Sequence, residues 1–210
     1  MAAIVLALAS SLTWGAADFF GGLQTRRRPL LTVMWTTQTA GFLAVAIVVA
    51  VRGQGPPGGA GWIGWAALAS VSGVTGLAAF YRGLATGAMG VVAPISSAAA
   101  VVPLAVGLAT GERPHALQGA GIALAIVGVV LASREEGGSN AAGAGLAIIA
   151  ALGFGGFFVG IDRASEADVL WALLVSRMFS FAFLSTATLI TRPPFPRRPR
   201  DVAQLAAIGV

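Results

Sequence analysis

Two charges stand inside long apolar runs, where few are tolerated. Asp18 is the only acid in the run that opens the chain, and Arg177 lies in the middle of the run from about 168 to 190. A carboxylate there can bind a proton or the cationic group of a solute. A guanidinium keeps its proton and can hold a carboxylate through two parallel hydrogen bonds. Ionisable groups within a membrane segment are costly, so a functional role is the default expectation. Each also has a structural reading, Asp18 as a partner of Arg82 and Arg177 as half of an ion pair with Asp18 or with an acid of a segment beyond Val210. Around them, Trp14, Gln38, Tyr81, Ser96 and Phe154 are the candidates for lining a small-molecule cavity, which is mostly apolar with a few polar groups. Aromatics in such runs more often pack or face lipid; Trp14 and Phe154 are preferred because they stand 140 positions apart in a repeat. Pro94 and Pro103 each remove a backbone donor from one run, and Ser96 and Ser97 follow the first. Such breaks can aim carbonyls at a solute, or simply kink a helix.

The elements that position these groups follow from composition. Of 210 residues 57% are hydrophobic and only 10% charged, and the mean hydropathy is +0.85; a soluble domain carries about 25% charge. The class is an all-α polytopic membrane protein. Runs near 2–23, 30–51, 62–84, 91–111, 115–132, 144–163 and 168–190 are long enough for a helix to cross a ~30 Å hydrocarbon core, and an eighth begins near Val202. Helices are expected because they satisfy their own backbone groups in lipid. The break at Gly87–Gly90 is the weakest, since it holds no charge. All 13 basic residues are Arg, most of them in short loops, so the net charge of +5 reads as topology rather than nucleic-acid binding. With no Cys and a single His, His115, no metal site or cofactor is expected. No phosphate loop, nucleophile elbow or zinc-protease pair points to an enzyme or an ATP-driven pump. The first run is not a cleaved signal, because its arginines follow the apolar stretch.

A shift of 140 positions aligns the chain with itself without a gap. Leu12, Trp14 and Gly15 meet Leu152, Phe154 and Gly155; Arg52 meets Arg192; Trp65–Leu68 meets Leu205–Ile208. Two units follow: a five-helix repeat over 1–133, a connector over 134–143, and an incomplete second copy over 144–210. The expected count is seven full spans and the start of an eighth. Val210 corresponds to Ser70 within a helix, which suggests a chain that stops inside its second unit. Repeated halves enclosing a mid-membrane site are typical of secondary transporters.

The stretch LASSLTWGAADFFGGLQTRRR, Leu8 to Arg28, resembles the opening helix of EamA-type members of the drug/metabolite transporter superfamily. GVVAPISSAAAVVPLAVGLATGERPHALQGAGIALAIVGVVLAS, Gly90 to Ser133, is similar to the two helices that close the same repeat: a Pro-bearing helix, a terminal Gly-Glu, then a Gly-rich helix. The resemblance implies two inverted five-helix repeats around a central cavity, and export of small metabolites, amino acids or drugs across the cell (inner) membrane. It also implies both termini in the cytoplasm. Arginine counting gives the opposite. One side carries Arg26, Arg27, Arg28, Arg82, Arg134, Arg192, Arg197, Arg198 and Arg200, the other Arg52, Arg113 and Arg163; the positive-inside rule makes the richer side cytoplasmic and puts Met1 outside.

The first reading is therefore a carrier for a small solute, working by alternating access and coupled to a proton or ion gradient or to none. A non-transporting scaffold or sensor is the alternative, and a cavity lined by Trp14, Gln38 and Arg177 would favour the carrier. The expected partners are the bilayer and the solute. Neither solute nor oligomeric state is legible. Among the remaining residues, Trp35, Trp62, Trp65 and Trp171 are expected as interfacial anchors, and Glu112 as a solvated ion pair with Arg113. The small-xxx-small pairs Gly83/Gly87, Gly107/Gly111 and Gly156/Gly160 are expected at close helix contacts.

Overall fold

In the computed structural model, residues 2–87, 89–132 and 141–209 are described. Arg134 and most of the expected connector lie outside them. The described residues form helices α1 (Ala2–Thr25), α2 (Leu30–Arg52), α3 (Gly61–Thr86), α4 (Met89–Ser97), α5 (Val101–Ala109), α6 (Ala116–Ala132), α7 (Ala141–Ser165), α8 (Val169–Thr191) and α9 (Pro199–Gly209). Six spans are long and apolar enough to cross a membrane: α1, α2, α3, α4 continued into α5, α7 and α8. The fifth expected span, α6, is an apolar helix of 17 residues, shorter than the other six.

Helix ends follow local chemistry. Gly53 takes φ 67° and donates its N–H to the Val49 carbonyl, closing α2; Gly adopts this left-handed conformation without a Cβ penalty. Asp168 accepts the Trp171 N–H and caps α8. The chargeless break before α4 is real: Gly87 leaves the helix in an extended conformation and α4 starts at Met89. Between Pro94 and Pro103 the chain tightens into a 3-10 turn, Ala98–Ala100. Pro103 has no N–H to offer the Ala99 carbonyl, and that carbonyl lies where a Cβ on Gly155 of α7 would stand, 3.0 Å away.

The contacts at the two ends of the bundle fix the chain direction of each helix. At one end, called here the Arg52 end, Arg52 pairs with Asp168 at 2.8 Å and the Trp171 indole donates to the Gln54 carbonyl. A small core of Trp62, Ala66, Ala164, Ala172 and Val175 lies beneath. At the other, the Arg28 end, the Thr25 hydroxyl donates to the Tyr81 carbonyl, Arg26 to the Leu84 carbonyl and the Thr32 hydroxyl to the Pro194 carbonyl. Arg28 pairs there with Asp201 at 3.2 Å, beside a larger core that includes Met34, Phe80, Tyr81, Val92, Leu184 and Leu205. α1, α3 and α8 thus run from the Arg52 end to the Arg28 end; α2, α7 and α9 run the other way.

The closest helix pair is α3 with α7, and small residues make it so. A Cβ on Gly153 would lie 2.5 Å from the Gly76 Cα, and one on Gly160 would lie 2.8 Å from the Ala69 nitrogen. Backbones meet directly here, as small-residue helix contacts in lipid allow. Of the expected glycine pairs, Gly156 and Gly160 lie in this contact, and Gly83 and Gly87 pack against Val92 of α4 and the start of α7. Gly107 instead lies beneath the Glu112 carboxylate, and Gly111 turns the chain at φ 96°. Glu112 forms no ion pair with Arg113 among the described residues; it folds back over its own helix end. Trp35 lies in the second turn of α2, near the Arg28 end. Its indole donates to the Ser185 hydroxyl at 2.9 Å and packs between Phe181 and Phe195.

Candidate functional site

Five helices, α1, α2, α3, α8 and α9, with two phenylalanines of α7, border an open-sided cavity of about 750 Å³. That volume lies within the roughly 300–1,000 Å³ of small-molecule sites. Each wall is one helical face. Trp14, Ala17 and Asp18 come from α1; Ser70, Gly73, Val74, Leu77 and Tyr81 from α3; Leu173, Ser176, Arg177 and Ser180 from α8. These sets repeat at three- and four-residue intervals, the spacing that stacks side chains on one side of a helix. Gln38 enters from α2 and Gln204 from α9.

Arg177 donates to the Gln38 side-chain oxygen. Space for the guanidinium comes from Gly41 one turn further along α2, where a Cβ would stand 3.0 Å from a guanidinium nitrogen. Gln38 is neutral, so Arg177 keeps its full charge and has further donors for a ligand. Asp18 borders the same cavity, half-buried, and makes no hydrogen bond or ion pair with any described residue. Neither structural pairing expected for it is present. Arg82 points outward, exposed, and no ion pair joins Asp18 to it or to Arg177. Tyr81, 3% exposed, lies within electrostatic reach of both Asp18 and Arg177. Its ring occupies the place that a side chain at Gly21 would take.

The apolar wall is aromatic. Phe154 meets Phe80 edge-on at 5.6 Å, and Trp14 lies 6.5 Å from Phe158. Six of the seven residues singled out from the sequence therefore border one space: Trp14, Asp18, Gln38, Tyr81, Phe154 and Arg177. Ser96 does not. It is buried on α4 with its hydroxyl 3.5 Å from the Ala147 carbonyl, a contact between helices. Sequence reasoning missed Ser70, Ser176, Ser180 and Gln204. The Ser70 and Ser180 hydroxyls meet at 2.8 Å across the α3–α8 contact. A signal existed for the α8 serines, which flank Arg177 on its own helical face.

Six apolar spans, five of which border a cavity with a charged and aromatic lining, describe a multi-pass membrane protein of transporter type. A model of the EamA-like transporter family matches residues 1–134, well over half of the chain, and the protein belongs to that family. Its spans place it in contact with the lipid bilayer. No curated protein matches the chain.

Proposed function

We propose that this protein is a secondary carrier of the cell membrane that exports a small carboxylate-bearing solute, foremost a zwitterion, by alternating access. The observation that carries the reading is the shared cavity of Asp18 and Arg177, two opposite charges that do not neutralise each other. Arg177 is suited to the carboxylate of the solute, and Asp18 to its cationic group or to a coupling proton. Trp14, Phe154 and Leu77 offer apolar surface to the remainder. A non-transporting scaffold needs no such space.

The architecture in this proposal is an inverted repeat, with one unit over 1–133, a connector over 134–143 and a second unit over 144–210. Chain direction supports it: α1 and α7, α2 and α8, and α3 and α9 are antiparallel pairs of corresponding helices. The contacts between helices support it as well. α3 packs on α7 and α1 on α9; α2 packs on α9 and α3 on α8; α2 and α8 pack on each other. Exchanging the two units turns this set of contacts into itself.

The test is exchange of labelled leucine, lactate and choline by the full chain in proteoliposomes. Saturable exchange is expected for leucine and reduced exchange for lactate, with leucine exchange falling at least tenfold in Asp18→Asn or Gln38→Ala, about the loss of one charged or charge-assisted contact. Exchange of all three probes at the rate of protein-free vesicles would refute the carrier reading.

A further inference from the structure

Two ion pairs hold opposite ends of the bundle, and both join the first unit to the second. Arg52, the last residue of α2, meets Asp168 at the start of α8 at 2.8 Å. Arg28, just before α2, meets Asp201 in the first turn of α9 at 3.2 Å. The third described pair, Arg163–Glu166, spans three residues of one segment and joins nothing distant. Arg28 and Asp168 stand 140 positions apart, the offset that superposes the two units. One position of the repeat, that leading into its second helix, thus carries an ion pair at each end of the molecule, with its charge sign reversed.

None of the four partners borders the cavity itself; Arg28 and Asp201 have neighbours that do, and Arg52–Asp168 lies beyond the small core of Trp62, Ala66, Ala164, Ala172 and Val175. The Arg28 Nε donates to the Gln24 side-chain oxygen at 3.1 Å, and Gln24 borders the cavity, as does Gln204 on the helix whose first turn holds Asp201. Asp168 caps α8, the helix that brings Arg177 into the cavity. The side chains of all four partners remain between 18% and 34% exposed. Partly hydrated pairs of this kind are weak and can break in a working cycle, unlike a buried pair, whose separation leaves an uncompensated charge. The Trp171 N–H and, secondarily, Arg52 hold the Asp168 carboxyl below the usual carboxylate range, so this end keeps its charge near neutral pH.

We propose that Arg52–Asp168 and Arg28–Asp201 are opposed latches, each holding the two units together at its own end of the bundle and each opening in one half of the transport cycle. The inference rests on the carrier reading, but its test needs no known solute. The chain has no Cys, so Ala17→Cys on the cavity wall gives a single reporter thiol. A membrane-impermeant maleimide is applied to the full chain in right-side-out and in inside-out vesicles. Arg52→Gln and Asp168→Asn should raise labelling from the Arg52 end and lower it from the Arg28 end. Asp168→Asn retains a side-chain oxygen for the Trp171 N–H, so the helix cap survives. Arg28→Gln and Asp201→Asn should do the reverse, each by about two- to fivefold, the population shift that an exposed pair can support. Combining Arg52→Gln with Asp168→Asn should add nothing to either alone, because one interaction is removed in each case.

A loosened fold would raise labelling from both sides together, and that result overturns the latches. So do unchanged rates in all four variants while Ala17→Cys labels normally, an outcome that leaves the carrier reading standing. No labelling from either side in any variant removes the latches and the carrier reading together.

Discussion

At the scale of single residues, the site depends on how Arg177 is held. Its guanidinium has a neutral partner in Gln38 and a bare backbone at Gly41, so its fork is oriented without being neutralised. A Lys ammonium keeps the charge but cannot present two parallel donors. Arg177→Lys should therefore lower leucine exchange at least tenfold while membrane expression stays within twofold of the parent, about the value of one charge-assisted contact. Arg177→Leu should abolish exchange. Normal exchange and expression in both variants would exclude a carboxylate site at Arg177. Depth in an apolar run made Arg177 and Asp18 legible in the sequence, because each charge there requires an explanation. Their partners were not legible: Arg82 had the right sequence depth but the wrong side of α3, and helix rotation is set by packing. The serines of α8 were missed for a related reason. A hydroxyl in an apolar run is cheap, and Ser176 and Ser180 stand out only once Arg177 defines the inner face.

At the scale of elements, spans and their breaks were readable from hydropathy and from Gly, Pro and Arg punctuation. The edges of α2, α3 and α8 fall within about two residues of the apolar runs. The 3-10 turn between Pro94 and Pro103 was not readable, since proline predicts a disturbance but not its form. Nor was the hydroxyl partner of the Trp35 indole, Ser185, which stands 150 positions away. Glycine counting also overstated the number of helix contacts, and geometry separates the glycines. Gly153→Val puts side-chain atoms against the backbone of Gly76 and Ser72, which cannot step aside. Thermal unfolding in detergent should register a loss of about 1–3 kcal/mol, typical of overpacking. Gly15→Ala, with nothing within 4 Å of its added Cβ, should leave stability unchanged or raise it by about 0.5–1 kcal/mol through helix propensity. Equal effects at the two sites would mean that α3 and α7 do not touch through bare backbone.

At the scale of the whole molecule, the arginines divide by end. Arg26, Arg28 and Arg82 lie at the Arg28 end, whereas Arg52 and Arg163 lie at the other. By the positive-inside rule we propose that the Arg28 end is cytoplasmic, against the family expectation. A single Cys at exposed Arg27 should then resist an impermeant thiol reagent in intact cells and react after the membrane is opened. Reaction in intact cells would instead give the opposite orientation, with Met1 inside. The glycine seam between α3 and α7 has a consequence for how the protein is made. Gly76 and Gly153 touch, yet 77 residues separate them. At roughly 5–20 residues per second of synthesis, the bare stripe of α3 waits about 4–15 seconds for its mate. Until then only lipid or a membrane chaperone can cover it. The ribosome must make α7 before this seam can close, so the helices ahead of it cannot finish packing while α7 is still unmade.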